Sequence, residues 1–324
     1  MSKENHNNFS NITLQVLGCR GSMSVSRPSY AKYGVATSSY LYMTDEEAII
    51  LDAGTGILNL PDLGGRRISI LISHSHIDHI LGLPIFLGSV GAKELSIYGA
   101  THEGLTIRQQ LDTYLKRPLW PVGLDDFSCK ITFENVKENT EPFQIGDVTI
   151  TAVPSNHPGG STIYKLECQG VSVVYASDFE HEELPDERKD KGLIEAEEAF
   201  CKKKAEMSTV VEDGSQYTFA TDPLQALSAF SKNADLILYD AQYTAEEYQN
   251  CKAFGHSTAE KAYELKCAAD IKQVLLVHHA PFHTDMFLDE VEKEILCKYN
   301  CTSDDMHLAR EGEVIRLPYR YSDI

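Results

Sequence analysis

Three histidines and an aspartate fall within six residues, directly after a continuous apolar run of the kind found in buried strands. The apolar run covers residues 68–72, and the polar residues are His74, His76, Asp78 and His79. Alternate side chains of an extended chain point to the same side, so His74 and His76 can bind one ion. Asp78 and His79 follow as the chain turns, and can bind a second ion. Because imidazole and carboxylate are preferred ligands of zinc and similar metals, the sequence predicts a metal site at this strand end.

Length, composition and charge exclude several classes of protein. The chain has 324 residues, 42% of them hydrophobic, and no apolar run approaches the roughly 18 residues of a membrane helix. Its formal charge of −19 repels polyanions outside a locally positive site, and the densest basic cluster, 202–204, lies among glutamates. We therefore expect neither a large nucleic acid nor a membrane as partner. The polar start of the chain and eight scattered cysteines, interpreted as reduced thiols, favour the cytoplasm.

Short apolar segments between turns indicate two strand-rich halves, each of which ends in helices. Gln169 and Gly170 predict a hairpin turn, residues 104–116 a helix, and Ser257 with Glu260 a capping box at the start of another helix. The pattern predicts an α/β fold with two sheets face to face and helices outside. The predicted strands are residues 11–17, 38–43, 48–51, 68–72, 95–98, 148–153, 162–167, 171–176, 235–239 and 274–277.

Residues 181–225 differ in composition from the rest of the chain, because Glu, Lys and Asp dominate them. One interpretation is a solvated helical insertion with a helix near 193–207. The other is a mobile lid over the site, since Asp178 immediately precedes the segment. No internal repeat or low-complexity linker is present, so we predict a single domain over residues 1–324 that carries this insertion.

The His-x-His-x-Asp-His motif of residues 74–79 is the signature of the metallo-β-lactamase superfamily. The chain resembles this superfamily from the strand at Asn11 to His278, apart from 181–225. The resemblance implies a four-layer αββα sandwich with the site at an edge of the sheets. It also implies two divalent ions, most simply zinc, with manganese or iron as alternatives. Asp52 either orients the metal loop or caps its strand. The implied ligands are His74, His76 and His157 for one ion, Asp78, His79 and His278 (alternatively His279) for the other, and Asp178 between them.

Two downstream segments resemble tRNase Z and favour phosphodiester hydrolysis. Asp240 and His256 match an acidic residue and a histidine of that group, although Tyr239 stands where the group has histidine. The resemblance implies that a hydroxide bridging the ions attacks phosphorus while His256, oriented by Asp240, protonates the leaving alkoxide. We therefore predict catalytic roles for Asp78, Asp240 and His256. The alternative is that Asp240 caps the following helix and His256 merely precedes its own helix.

The chain departs from tRNase Z in lacking its long Gly/Pro-rich arm, and it looks most like small bacterial phosphodiesterase-like hydrolases. Two ions, two aspartates and a hydroxide would leave the site with a net charge of about +1, which attracts a small monoanionic substrate. We expect a binuclear hydrolase that cleaves a cyclic nucleotide or short nucleotide. An ester, thioester or lactone hydrolase and a non-catalytic anion sensor are the alternatives. Trp120 either stacks on a base of the substrate or packs on neighbouring prolines. The oligomeric state is left open, with a homodimer as one possibility.

Overall fold

Two seven-stranded sheets form the centre of the computed structural model, which describes residues 12–89, 91–185 and 222–317. The first sheet contains β1 (Thr13–Gly18), β2 (Ser39–Met43), β3 (Glu47–Leu51), β4 (Arg67–Ile72), β5 (Glu94–Ala100), β6 (Lys130–Val136) and β14 (Val314–Arg316). The second contains β7 (Phe143–Ile145), β8 (Val148–Ser155), β9 (Ser161–Cys168), β10 (Val171–Ala176), β11 (Leu236–Asp240), β12 (Gln273–Val277) and β13 (Met306–Leu308). The α-helices are α1 (Ile77–Ile80), α2 (Leu83–Ser89), α3 (Ile107–Tyr114), α4 (Pro223–Phe230), α5 (Ala245–Cys251), α6 (Ala259–Ala269) and α7 (Asp285–Tyr299).

Both sheets change from antiparallel to parallel pairing along their width. The first has the order β14-β1-β2-β3-β4-β5-β6 and is parallel from β3 to β6. The second has the order β13-β12-β11-β10-β9-β8-β7 and is parallel from β10 to β13. Since the carboxyl ends of parallel strands meet at one edge of a sheet, the loops that follow them lie together, as in other open α/β sheets.

Apolar side chains fill three layers, one between the sheets and one on each outer face. The central layer joins side chains of both sheets, among them Tyr40 and Leu51 from the first and Leu166 and Leu238 from the second. The outer face of the first sheet packs on α1, α2 and α3, and that of the second packs on α4, α6 and α7. This arrangement confirms the expected four-layer αββα sandwich.

The predicted strands correspond to strands of the structure, with ends that agree to within two residues. Four short or peripheral strands were missed: β6, β7, β13 and β14. Along β6 the side chains are mostly exposed, so its hydrophobic pattern is weak. The predicted helix at 104–116 is the shorter α3, because the side chain of Thr106 caps its first turn in a capping box with Gln109.

The predicted capping box of Ser257 and Glu260 is wrong. Thr258 is the N-cap of α6, and its side chain accepts a hydrogen bond from the amide of Lys261. An isolated bridge between Thr258 and Tyr243 keeps this residue extended, so the helix begins one residue later than expected. The Ser257 hydroxyl instead lies 2.7 Å from the hydroxyl of Tyr239.

Most of the segment 181–225, including the expected helix at 193–207, lies outside the described residues. At its ends, His181 and Leu184 are buried and Pro223 begins α4. Within the described ranges no helix has both the length and the hydropathy to span a bilayer. The seven cysteines in those ranges are free thiols.

Candidate metal centre

The histidine-rich motif begins at the carboxyl end of β4 and continues into α1. The imidazole rings of His74 and His76 lie 4.4 Å apart, as expected for alternate residues of an extended segment. Asp78 and His79 are buried in the single turn of α1, whereas His76 is exposed. The turn thus separates the motif into two parts that face two neighbouring clusters of polar atoms.

The first cluster consists of His76 and one residue from each of three strand ends. It contains His74 after β4, His157 after β8 and Asp178 after β10, and one polar atom from each of the four residues lies within 4.8 Å of the others. Nε2 of His157 is 3.1 Å from Nδ1 of His76. Oδ2 of Asp178 is 3.6 Å from Nε2 of His74 and 3.9 Å from Nε2 of His157.

The second cluster contains Asp78, His79 and His278, the last of which follows β12. Oδ2 of Asp78 lies 3.3 Å from Nε2 of His79 and 3.2 Å from Nε2 of His278. Oδ1 of Asp178 lies 3.2 Å and 3.3 Å from the same two nitrogens. The carboxylate of Asp178 therefore faces the first cluster with one oxygen and the second cluster with the other.

The structure distinguishes the two adjacent histidines after β12. His278 lies in the second cluster, whereas Nε2 of His279 donates a hydrogen bond to the carbonyl oxygen of Ala309, 2.9 Å away. The ring of His279 also makes an edge contact with Tyr33. His279 is thus part of the packing between loops, and the structure brings His278 to the cluster.

The donor atoms of both clusters have the spacing that a metal ion requires. Two ligand atoms about 2.1 Å from one tetrahedral ion lie roughly 3.4 Å apart, which matches the separations of 3.1–3.9 Å given above. Nε2 of His74 and Nε2 of His79 are buried and have no hydrogen-bond partner in the described residues. A buried polar atom without a partner is costly, and a bound cation would satisfy both. The clusters and the fold therefore indicate divalent-metal binding.

Hydrogen bonds at the far side of two imidazole rings direct the opposite nitrogens toward the clusters. Burial would lower the pKa of His79, but Asp178, Asp78 and Asp52 outweigh it and raise this pKa, so metal binding at that ring displaces a proton. Nδ1 of His157 donates to the carbonyl oxygen of Gly255 at 2.9 Å, and Nδ1 of His79 donates to Oδ2 of Asp52 at 2.7 Å. Such contacts select the tautomer and fix the ring orientation of a metal ligand. A Cβ at residue 255 would lie 2.1 Å from Nδ1 of His157, so only glycine permits this approach.

Asp52 accepts four hydrogen bonds and joins the metal loop to both sheets. Besides His79, it accepts from the amide of Ser73 at 2.6 Å, the hydroxyl of Ser73 at 2.7 Å and the hydroxyl of Tyr175 at 2.6 Å. Of the two roles expected for Asp52, orientation of the metal loop is the one that these contacts describe.

We expect Asp52→Asn to weaken divalent-metal binding about 10- to 100-fold, because the amide nitrogen cannot accept the proton of His79. Competition with a chromogenic chelator measures this affinity. Tyr175→Phe is the matched control, since it removes one donor but keeps the carboxylate, and we expect a smaller loss. Wild-type affinity in Asp52→Asn would mean that Asp52 holds the loop through Ser73 and does not contribute to metal binding through His79.

Burial and neighbouring charges set the protonation of the clusters. Burial lowers the pKa of His157 to about 3 and the pKa of His74 well below its usual value. Burial opposes ionisation of Asp178, but the surrounding imidazoles, His278 above all, outweigh it and hold its pKa well below the ordinary range. Neutral imidazole and ionised carboxylate are the forms that bind metals.

Asp240 and His256 form a buried pair beside the clusters. Nδ1 of His256 lies 2.8 Å from Oδ2 of Asp240 and 3.9 Å from Oδ2 of Asp178. Burial alone would lower the pKa of His256, but Asp240 outweighs it and raises this pKa to about 9. Asp240 does not cap α5, because the side chain of Thr244 does so.

His256 and members of both clusters line an open cavity of about 260 Å³, which we call the reaction cavity. His256 and His278 stack with ring centres 4.9 Å apart at its wall. The amide of Ser22 enters from the glycine-rich loop after β1 and donates to Oδ2 of Asp78 at 2.7 Å. A group bound in this cavity would therefore contact both clusters and His256.

Sequence reasoning missed the supporting contacts of Ser22, Gly255 and Tyr175. Ser22 and Gly255 act through the backbone, which residue type does not reveal, although each lies beside a noted motif. Trp120 packs near Tyr114, with ring centres 6.2 Å apart, against the core of the first sheet. Trp120 lines neither the reaction cavity nor the larger cavity that adjoins it beside α3. This position favours packing over base stacking.

Comparisons with known proteins agree with this geometry. Residues 48–193 match the family described as the beta-lactamase superfamily domain. A ribonuclease Z of Haloferax volcanii is 24% identical over 89% of this chain and 92% of its own length. The metallo-beta-lactamase fold protein YhfI of Bacillus subtilis superposes with a TM-score of 0.62 at 19% identity, covering 94% of this chain and 98% of its own. A diphosphatase of the PhnP family gives a TM-score of 0.60 at 17% identity, covering 95% and 100%.

Proposed function

We propose that this chain, which belongs to the metallo-β-lactamase superfamily, is a metal-dependent hydrolase that cleaves a small phosphodiester, such as a cyclic nucleotide or a short nucleotide. One observation carries the proposal: two ligand clusters share the carboxylate of Asp178, and His256, which is hydrogen-bonded to Asp240, lines the cavity that both clusters face. Metal clusters alone suit many hydrolyses, whereas a poised imidazole suits those whose leaving group must be protonated.

The clusters would hold two divalent ions, with His74, His76 and His157 around one and Asp78, His79 and His278 around the other. Asp178 would contact both. Nitrogen and oxygen donors of this kind accept zinc, and manganese or iron according to supply. When bound, such ions supply Lewis acidity toward phosphoryl oxygens and a lowered pKa for water.

The residues of the chain perform the remaining tasks. Asp240 accepts the Nδ1 proton of His256 and so orients the ring, which leaves Nε2 to carry the proton toward the leaving oxygen. Ser22 donates its amide to Asp78 and holds that carboxylate in place. The buried walls around Asp178 and His278 exclude water from the rear of the clusters.

RNA is the second candidate substrate, because the Haloferax relative is named ribonuclease Z. The net charge of −19 opposes it, since a long polyanion meets repulsion over most of the surface. A small monoanion meets mainly the local field of the metal site. Ester, thioester or lactone hydrolysis is less well supported, because a thiolate or carboxylate leaving group needs little protonation by His256.

Reconstitution followed by a substrate panel tests the proposal. Protein stripped with chelator and refilled with zinc or manganese should bind two equivalents by elemental analysis. It should then hydrolyse bis-p-nitrophenyl phosphate and at least one cyclic or short nucleotide faster than thioesters, lactones or a structured RNA. Turnover confined to thioesters or lactones would contradict the proposal, and turnover confined to RNA would favour the second candidate.

A possible homodimer and a cytoplasmic location are predictions made from the sequence alone. Size-exclusion chromatography with light scattering measures the first, and fractionation of cells measures the second.

A further inference from the structure

A second cavity, of about 480 Å³, adjoins the reaction cavity. We call it the side cavity. It lies between α3 and the loop that carries His157, and His76 and Ile77 line both cavities. Its volume falls within the roughly 300–1,000 Å³ typical of small-molecule sites. A ligand held at the metal clusters can therefore extend past His76 into this space.

The wall of the side cavity exposes large apolar side chains. Ile77 is 46% exposed, Leu105 is 39% exposed and Leu119 is 66% exposed. Tyr114 adds an aromatic ring from α3. Exposed apolar side chains that gather around one concave site mark a binding surface more often than chance placement. The side cavity thus suits a ring or another compact apolar group.

The charge of the side cavity excludes a second phosphate. Among the described residues that line it there is no Lys or Arg, and Glu103 contributes a carboxyl group. His102 lies with Nε2 3.3 Å from both the carbonyl oxygen of Ser73 and the hydroxyl of Thr162. A polyphosphate or an RNA strand would have no cationic side chain to neutralise it here.

We propose that the side cavity is the subsite for a neutral, ring-bearing ester substituent of the substrate. The inference rests on the proposed phosphodiesterase function. His256 lines the reaction cavity and not the side cavity. The substituent in the side cavity is therefore the one that stays on phosphorus, while the leaving oxygen lies toward His256. This selects small diesters with one neutral ring system, such as a nucleoside, over polyanionic substrates.

Two diesters with the same leaving group test the subsite. Benzyl p-nitrophenyl phosphate and methyl p-nitrophenyl phosphate differ only in the group that stays on phosphorus. Burial of an aromatic ring the size of a phenylalanine side chain corresponds to a preference on the order of 10- to 100-fold. We expect kcat/KM of the zinc-reconstituted enzyme to favour the benzyl diester by this factor. Calorimetry with benzylphosphonate and methylphosphonate should show the same order of affinity.

Thr113→Trp fills the side cavity from an exposed position of α3. It should erase the benzyl preference and leave the methyl diester within about threefold of wild type, with unchanged metal content. Asp112→Trp is the matched control, because Asp112 lies on the same helix outside both cavities and its described ion pair is with surface Arg108 at 3.6 Å. It should keep the preference.

The outcomes separate this inference from the proposed function. Three results would overturn the subsite while phosphodiesterase activity stands. They are equal rates for both diesters, a benzyl preference that survives in Thr113→Trp, and loss of that preference in Asp112→Trp. If neither diester reacts but benzylphosphonate binds more tightly than methylphosphonate and Thr113→Trp removes the difference, the subsite stands and the proposed function is wrong. Equal binding of the two phosphonates in that case overturns both.

Discussion

Asp178→Ala should lower kcat/KM for phosphodiesters by roughly 10³-fold or more and reduce bound metal below two equivalents. The reason is the position of its carboxylate, which places one oxygen 3.6 Å from Nε2 of His74 and the other 3.2 Å from Nε2 of His79. Elemental analysis and steady-state kinetics on the same preparation measure both effects.

Asp125→Ala is the control for this variant. Asp125 is an exposed aspartate whose described ion pair is with Arg108, so its loss changes the net charge equally without touching either cluster. We expect wild-type metal content and activity. Circular dichroism of Asp178→Ala checks that the variant is folded, because removal of one partner from a buried charged cluster is destabilising. Two retained equivalents in Asp178→Ala would refute the bridging role.

His256→Ala should slow hydrolysis by about 10²- to 10⁴-fold for diesters with alkoxide leaving groups and by less than about tenfold for p-nitrophenyl diesters. An alkoxide leaves poorly unless it is protonated, whereas p-nitrophenolate leaves without help. The hydrogen bond of 2.8 Å between His256 and Asp240 orients the ring for this transfer. A series of diesters with leaving groups of graded pKa gives the measurement.

Asp240→Asn is the companion variant. It keeps the imidazole but replaces the acceptor of the Nδ1 proton, so we expect an intermediate loss with the same dependence on leaving group. The metal content of both variants should equal that of wild type, since neither residue belongs to the two proposed ligand sets. An equal loss for good and poor leaving groups would rule out the general-acid role of His256.

Local sequence patterns predicted much of the fold because the buried strands carry strong signals. The run at 68–72 and the motif behind it are adjacent in sequence, so the β4 end and His74–His79 needed no long-range information. The peripheral strands were missed because their local patterns are weak. The side chains of β6 are mostly exposed, and β7, β13 and β14 have only three residues each. At the edge of a sheet, backbone pairing stabilises a strand that shows little hydrophobic alternation.

Long-range contacts determine the features of the site that the sequence motifs did not predict. His278 and His279 follow the same strand, and residue type does not distinguish them. The left-handed backbone at His278, with φ of 65°, is not anticipated by strand periodicity. The carbonyl of Gly255 at His157 depends on the loop before α6, 98 positions further along the chain. Such contacts follow from tertiary packing, which no local pattern encodes.

The proposed ligands come from both sheets, and Asp78 meets His278 across 200 positions of sequence. A nascent chain that has emerged only as far as β6 presents the motif of residues 74–79 without His157, Asp178 and His278. Such a fragment would hold a metal weakly, because three of the seven proposed ligands, Asp178 among them, are still to emerge. Full occupancy then requires the two sheets to have docked. Metal binding would therefore follow the docking of the two sheets. It would then stabilise the folded protein against unfolding.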